Sequence, residues 1–254
     1  MHSILILGGT TEARQLAGKL AAFNRFRLEL SLAGRTKTPV EQPVPVRTGG
    51  FGGAERLAHY LCEHRIDLMI DATHPYAARI SANADTAARI AEIPLVALRR
   101  PGWNSEPGDR WQEVESVEQA VVSLGDAPLN AFLALGRQEL LPFEVAPQHH
   151  YLIRSVDAVE PPLDLPHVRY ITARGPFAEE DEIALLRDNR IEVIVSKNSG
   201  GAASYGKIVA ARRLGLEVIM IRRPVLPDVC SFQTVEALAD HVAQAFPADQ
   251  LRGE

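Results

Sequence analysis

Short apolar runs alternate with amphipathic stretches along the chain, and that rhythm predicts strands and helices in succession. Ser3–Leu7 (SILIL) is an apolar run ending in Gly8-Gly9, the composition of a strand covered on both faces. Glu12–Phe23 sets Ala13, Leu16, Ala17 and Leu20 at helical spacing. Arg27–Ala33 alternates like a second strand and stops at Gly34, and a Pro- and Gly-rich loop then leads to a helix over Ala54–Glu63. Asp67–Ala72, Ala77–Ala91 and Leu95–Leu98 continue as strand, Ala-rich helix and strand.

Arg99–Arg110 (RRPGWNSEPGDR) has the Pro, Gly and polar residues of a linker. The rhythm then resumes with helix Val117–Leu124, strand Ala131–Leu135, a short helix near Glu139, and strands Tyr151–Arg154 and Tyr170–Ala173. Helix Glu179–Asn189, strand Glu192–Ser196, helix Ala203–Leu214, strand Glu217–Ile221 and an amphipathic helix over Val235–Phe246 follow. Strand–helix alternation with buried-strand composition predicts an α/β fold of mainly parallel sheets with right-handed crossovers. The linker divides it into residues 1–105 and 106–254, two domains alike in architecture but not in sequence.

Composition narrows the partners. Apolar residues make up 46% and charged residues 23% of the 254, which fits a globular chain and excludes a disordered one. No apolar run reaches the roughly 18 residues of a membrane span, so no membrane partner is expected. The first residues carry neither a basic leader nor a small-residue cleavage site, and a cytoplasmic location is expected. Cys62 and Cys230 lie far apart, and neither they nor the eight histidines show metal-ligand spacing, so no metal site is expected. A net charge of −5 disfavours a broad nucleic-acid surface. An acidic chain binds anions only by gathering its Lys and Arg in one place. A monomer or small homo-oligomer is expected.

Two groups of residues carry candidate chemistry. Gly8-Gly9-Thr10-Thr11-Glu12 joins a buried strand to a helix, where glycines let the backbone approach a pyrophosphate and the helix N-terminus supplies amide donors. At the end of the second strand stand Arg35, Thr36 and Lys37 where a carboxylate would favour free ribose hydroxyls; two cations and a hydroxyl suit a 2′-phosphate, hence NADPH rather than NADH. The third strand ends in Asp71-Ala72-Thr73-His74-Pro75-Tyr76 at the same edge, placing Thr73 beside the cofactor and making His74 and Tyr76, alongside water, candidate proton donors.

The second half repeatedly ends its strands in cations: Arg137 (LALGRQ), Arg154 (YLIRS), Arg174 (ITARGPF), Lys197 (VSKNSGG), and Arg222 with Arg223 (IRRP). Ligands of open parallel sheets bind beyond the carboxyl ends of the strands, so a cationic rim is expected there, suited to a polycarboxylate. Ser199 and Gly200, in the small-residue segment after Lys197, add an anion nest.

Together LILGGTTEAR, AGRT, DATHPYAARIS, LALGRQEL, RGPF, VSKNSGG and RRP, in this order and over nearly the whole chain, resemble the precorrin-6A reductase family of vitamin B12 biosynthesis. The resemblance implies NADPH-dependent reduction of a macrocycle double bond to give precorrin-6B. It also implies two Rossmann-like domains with an interdomain cleft, the first holding cofactor and the second a polycarboxylate tetrapyrrole. By motif, Gly8, Gly9, Thr10, Thr11, Arg35 and Thr36 serve the cofactor, and Arg137, Arg154, Arg174, Lys197 and Arg222 or Arg223 the substrate carboxylates. Pro101–Gly108 and Gly200–Tyr205 are candidate lids. A short-chain dehydrogenase or epimerase is the rival enzyme, but no Tyr is followed four residues later by Lys. A non-catalytic NADPH-sensing module is the rival from another class; it leaves the cationic strand ends unemployed.

Overall fold

In the computed structural model, which describes residues 1–34 and 40–247, the apolar runs become the inner strands of two parallel sheets. The chain opens with β1 (His2–Leu7), α1 (Thr11–Ala21), β2 (Phe26–Leu32), β3 (Val46–Thr48), α2 (Ala54–Glu63), β4 (Leu68–Asp71), α3 (Ala78–Ala91) and β5 (Leu95–Leu98). It continues with β6 (Arg110–Val114), α4 (Val117–Ser123), β7 (Asn130–Ala134), β8 (His150–Ser155), β9 (Val168–Thr172), α5 (Glu179–Asp188), β10 (Val193–Lys197), α6 (Gly206–Leu214) and β11 (Glu217–Ile221). A two-residue β12 (Ser231–Phe232) and α7 (Val235–Ala245) come last.

The first unit comprises Met1–Pro101 and the segment from Val225. Its sheet runs β12-β5-β4-β1-β2-β3 with every neighbouring pair parallel. β1 is apolar on both faces because both are covered: Ile4 and Ile6 pack with Leu16 and Leu20 of α1 and Leu238 and Val242 of α7. Leu5 and Leu7 pack on the other side with Leu57 and Leu61 of α2 and Ala84 and Ala88 of α3.

The second unit, Gly102–Pro224, has the order β6-β11-β10-β7-β8-β9, again all parallel. Phe132, Leu152, Ile194, Ile208, Leu186 and Met220 form its core. Read from β3 and from β9, the two orders are the same, the doubly wound order in which connections turn opposite ways on either side of the first strand. The switch points lie at the carboxyl ends of β1 and β4 in one unit and of β7 and β10 in the other. Among the described residues no helix is long and apolar enough to cross a membrane.

The division of the chain departs from expectation in two ways. The first unit ends at Pro101 rather than residue 105, and the segment from Val225, assigned by sequence to residues 106–254, belongs to the first unit. The cause is packing: β12 pairs with β5, and Val235, Leu238, Ala239 and Val242 join the core under α1. The sequence reading also missed β3, β6 and β12, each at or beside a sheet edge. β6 buries only Val114 of its five residues, so its sequence (RWQEV) carries no apolar alternation. The short helix near Glu139 is a pair of 3-10 turns, Arg137–Glu139 and Leu141–Val145.

Candidate functional site

The first switch point is built from the ends of β1 and β4. At Gly8 an added Cβ would lie 2.6 Å from Leu30 Cδ1, so the end of that side chain would have to shift, and the Gly8 N–H donates to Ser31 O (2.9 Å). Gly9 takes φ +110°, a value that only glycine adopts without strain, and no atom lies within 4 Å of where its Cβ would be. Thr10 is the N-cap of α1: its hydroxyl accepts from Ala13 N (3.1 Å) and donates to Ala72 O (2.9 Å). That side chain therefore ties α1 to the end of β4, and what it leaves for a ligand is the turn's backbone. The amides of Thr11 and Glu12, in the first turn of the helix, have no intrahelical acceptor.

Beneath the end of β4, Asp71 is buried and accepts from Thr73 N (3.1 Å), Thr73 Oγ1 (2.6 Å) and Arg99 Nη2 (2.7 Å). This fixes the loop that carries His74 and Tyr76. His74 Nδ1 accepts from the Tyr76 amide (3.3 Å), leaving Nε2 as the N–H donor of the neutral ring, and the two rings lie 5.7 Å apart. A pocket at this edge is lined by Thr10, Glu12, Ala72, Thr73, Pro75, Leu98 and Arg100. Arg100, which follows β5, pairs with Glu12 (2.6 Å). Sequence reasoning missed Arg100. The signal was present, because Arg-Arg-Pro recurs at 99–101 and 222–224, after β5 and after β11, the corresponding strands of the two sheets.

This geometry fits a dinucleotide pyrophosphate. An open glycine turn, first-turn amides without an intrahelical acceptor and an arginine paired with the Glu12 carboxylate form a cradle for an anion. Arg35 and Thr36, expected to meet the 2′-phosphate, lie outside the described residues.

The second switch point gathers the ends of β7 and β10. Arg137 follows β7, donates to Ala158 O (3.2 Å) and lies 3.5 Å from Asp157. Lys197 ends β10 and pairs with Glu139, which also accepts from Gly136 N (3.1 Å). Ser199 and Gly200 come next, Ser199 Oγ lying 3.2 Å from Ser204 Oγ. Asn198, which the sequence reading did not single out, accepts from Trp103 N (2.6 Å) and donates to Trp103 O (2.8 Å), while Arg223 Nε donates to its carbonyl (2.8 Å). Arg174 is exposed beyond β9.

Arg154 is a correction. It was expected to hold a substrate carboxylate, but its side chain is only 7% exposed and both its terminal nitrogens are taken by Glu182 of α5. Its guanidinium lies 3.7 Å from the Phe177 ring centroid and 4.9 Å from that of Phe132, so it is part of the core under the sheet edge. Arg222 also departs from the expected rim: it spans Glu113 (2.8 Å) and Glu115 (2.5 Å), which lie in β6 and just beyond it, between the linker and the helix that the sequence predicts. Arg137, Arg154, Lys197 and Arg222 are thus each matched to nearby acids.

A family model described as precorrin-6x reductase CbiJ/CobK matches residues 3–243. A precorrin-6A reductase from a Sinorhizobium species is 58% identical over 240 residues, 94% of this chain and 92% of its own. One from Rhodobacter capsulatus is 48% identical, covering 96% of this chain and 98% of its own. A solved structure described as CobK precorrin-6A reductase superposes with a TM-score of 0.92 at 46% identity, covering 98% of this chain and 99% of that one.

Proposed function

The chain belongs to the precorrin-6x reductase family CbiJ/CobK, and from that premise we propose that it reduces precorrin-6A to precorrin-6B with hydride from NADPH, in the cytoplasm. The observation that carries the reading is that both of its motif clusters coincide with topological switch points, where open parallel sheets bind ligands. The first unit takes the nucleotide and the second the tetrapyrrole.

When bound, NADPH supplies a hydride to an electron-poor macrocycle carbon, and a neighbouring carbon gains a proton. The turn at Gly8–Gly9 and the amides of Thr11 and Glu12 receive the pyrophosphate. Arg100 leaves Glu12 for the phosphate, a charge-assisted contact of the same kind it gives up. Arg35 and Thr36 meet the 2′-phosphate. Thr73 forms the adjoining wall, and His74, with Tyr76 beside it, donates the proton from Nε2 or from the phenol.

On the second unit, Arg137, Arg174, Lys197, Arg223 and the Ser199–Gly200 segment receive acetate and propionate arms. Arg137–Asp157 and Lys197–Glu139 are half-buried pairs, and a substrate carboxylate that displaces Asp157 or Glu139 replaces one charge-assisted contact by another of the same kind. Glu113 and Glu115 hold Arg222 at the outer edge, and its part is correspondingly smaller. The test is anaerobic mixing of protein, NADPH and precorrin-6A while following nicotinamide absorbance. Stoichiometric oxidation of NADPH with formation of the reduced macrocycle supports the reading. NADPH binding without turnover would instead make the chain a sensing module.

A further inference from the structure

Under the substrate-side edge of the second unit lies a lysine that the reaction does not use. Lys207, the second residue of α6, is 3% exposed. Its Nζ donates to Ser204 O (2.7 Å) and sits 4.8 Å from the Trp103 ring centroid. The segment above it is clamped backbone to backbone. Phe177 N donates to Ala203 O (3.1 Å), and a Cβ on Gly206 would lie 2.6 Å from Phe177 O. Ser199 N donates to Lys197 O (2.8 Å) and Ser199 Oγ meets Ser204 Oγ (3.2 Å), so the fixed end at Ser204 is continuous with Lys197 and Ser199.

The charges do not balance in this layer. Arg154 from β8 and Glu182 from α5 pair with each other, which leaves Lys207 as a surplus buried cation. Near the Trp103 side, Glu106, Asp109 and Arg212 close on one another and on Tyr205. Methionine would fill a similar volume without a buried charge.

We propose that Lys207 is the positioning residue of the substrate segment: its amine, bound to Ser204 O and set against Trp103, holds residues 199–205 in the shape that receives the tetrapyrrole arms, and gain of a proton, a surplus charge in this buried layer, loosens them. This rests on the second unit being the tetrapyrrole unit. Burial, with the Arg154 charge adding to it, lowers Lys207 from its ordinary 10.5 to about 7, so the switch falls near neutrality. Substrate carboxylates are already ionised there and do not mimic it.

The experiment is the pH profile of KM for precorrin-6A, from about pH 6 to about pH 8.5, in the wild type and in Lys207→Met. The wild-type KM rises about five- to tenfold as pH falls and Lys207 gains its proton, while Lys207→Met, which lacks the bond to Ser204 O, is high and flat and the KM for NADPH is unchanged in both. A variant whose profile follows the wild type overturns the proposal. Amide hydrogen exchange of 199–205 in the wild type, corrected for intrinsic rates, needs no variant: protection falls as pH drops through neutrality, and constant protection overturns the proposal equally. Arg137→Ala/Lys197→Ala separates the two claims. If it leaves the KM for precorrin-6A unchanged while 199–205 still responds to pH, the substrate assignment fails and the lysine switch stands.

Discussion

Thr10 uses one hydroxyl for two bonds, capping α1 and holding the end of β4. Its place in the glycine turn was legible from spacing; that its side chain is occupied was not, since the second bond spans 62 residues. Arg154 failed as a sequence reading for a related reason. An arginine at a strand end reads as a rim residue until Glu182, a turn into a distant helix, is known to face it. Glu182→Gln strands that buried guanidinium, and a loss of about 3–5 kcal/mol is expected, read as a fall in melting temperature. Arg100→Ala removes a charge-assisted contact, and NADPH dissociation rises about tenfold or more without loss of stability. Arg35→Ala weakens NADPH much more than NADH; equal losses in fluorescence titrations speak against a 2′-phosphate contact. Lys207 sets a stability slope as well. Because its proton is held less tightly folded (about 7) than unfolded (10.5), the unfolded state binds more protons in that window and stability rises with pH across it. Lys207→Met abolishes that rise in urea melts and is more stable at neutral pH.

At the scale of elements, the strands that announced themselves were those buried on both faces, such as β1 and β10, where composition alone suffices. β3, β6 and β12 lie outermost and contribute few buried side chains, so their pairing depends on neighbours distant in sequence. Helix starts at Thr10, Ser116 and Thr234 were within reach of capping rules, each accepting from the amide three residues on. Gly8 and Gly206 give a contrast of elements. An added Cβ meets the end of a flexible Leu30 side chain at Gly8, but the Phe177 backbone oxygen at Gly206, both at 2.6 Å. Gly206→Ala is therefore the more destabilising by chemical denaturation, and it raises the KM for precorrin-6A; Gly8→Ala acts on NADPH.

Across the whole molecule, two sheets share one strand order, and each takes its outermost strand from beyond its own run of βα units: β12 from the end of the chain, β6 from the segment leaving the first unit. No local pattern in the sequence announces this, because the partners β12 and β5 are separated by the entire second unit. Ending the chain at Pro224 removes β12 and α7 and bares the core that Leu238 and Val242 close. Such a protein is expected to lose NADPH binding and cooperative unfolding, although the cofactor turn is intact. The symmetry of the two sheets underlies the central claim, that the switch point of one unit serves the nucleotide and that of the other the tetrapyrrole. The most direct test is steady-state kinetics of Arg137→Ala/Lys197→Ala with both substrates varied. The account predicts that KM for precorrin-6A rises about tenfold or more while KM for NADPH stays within about twofold; a rise confined to NADPH would contradict it.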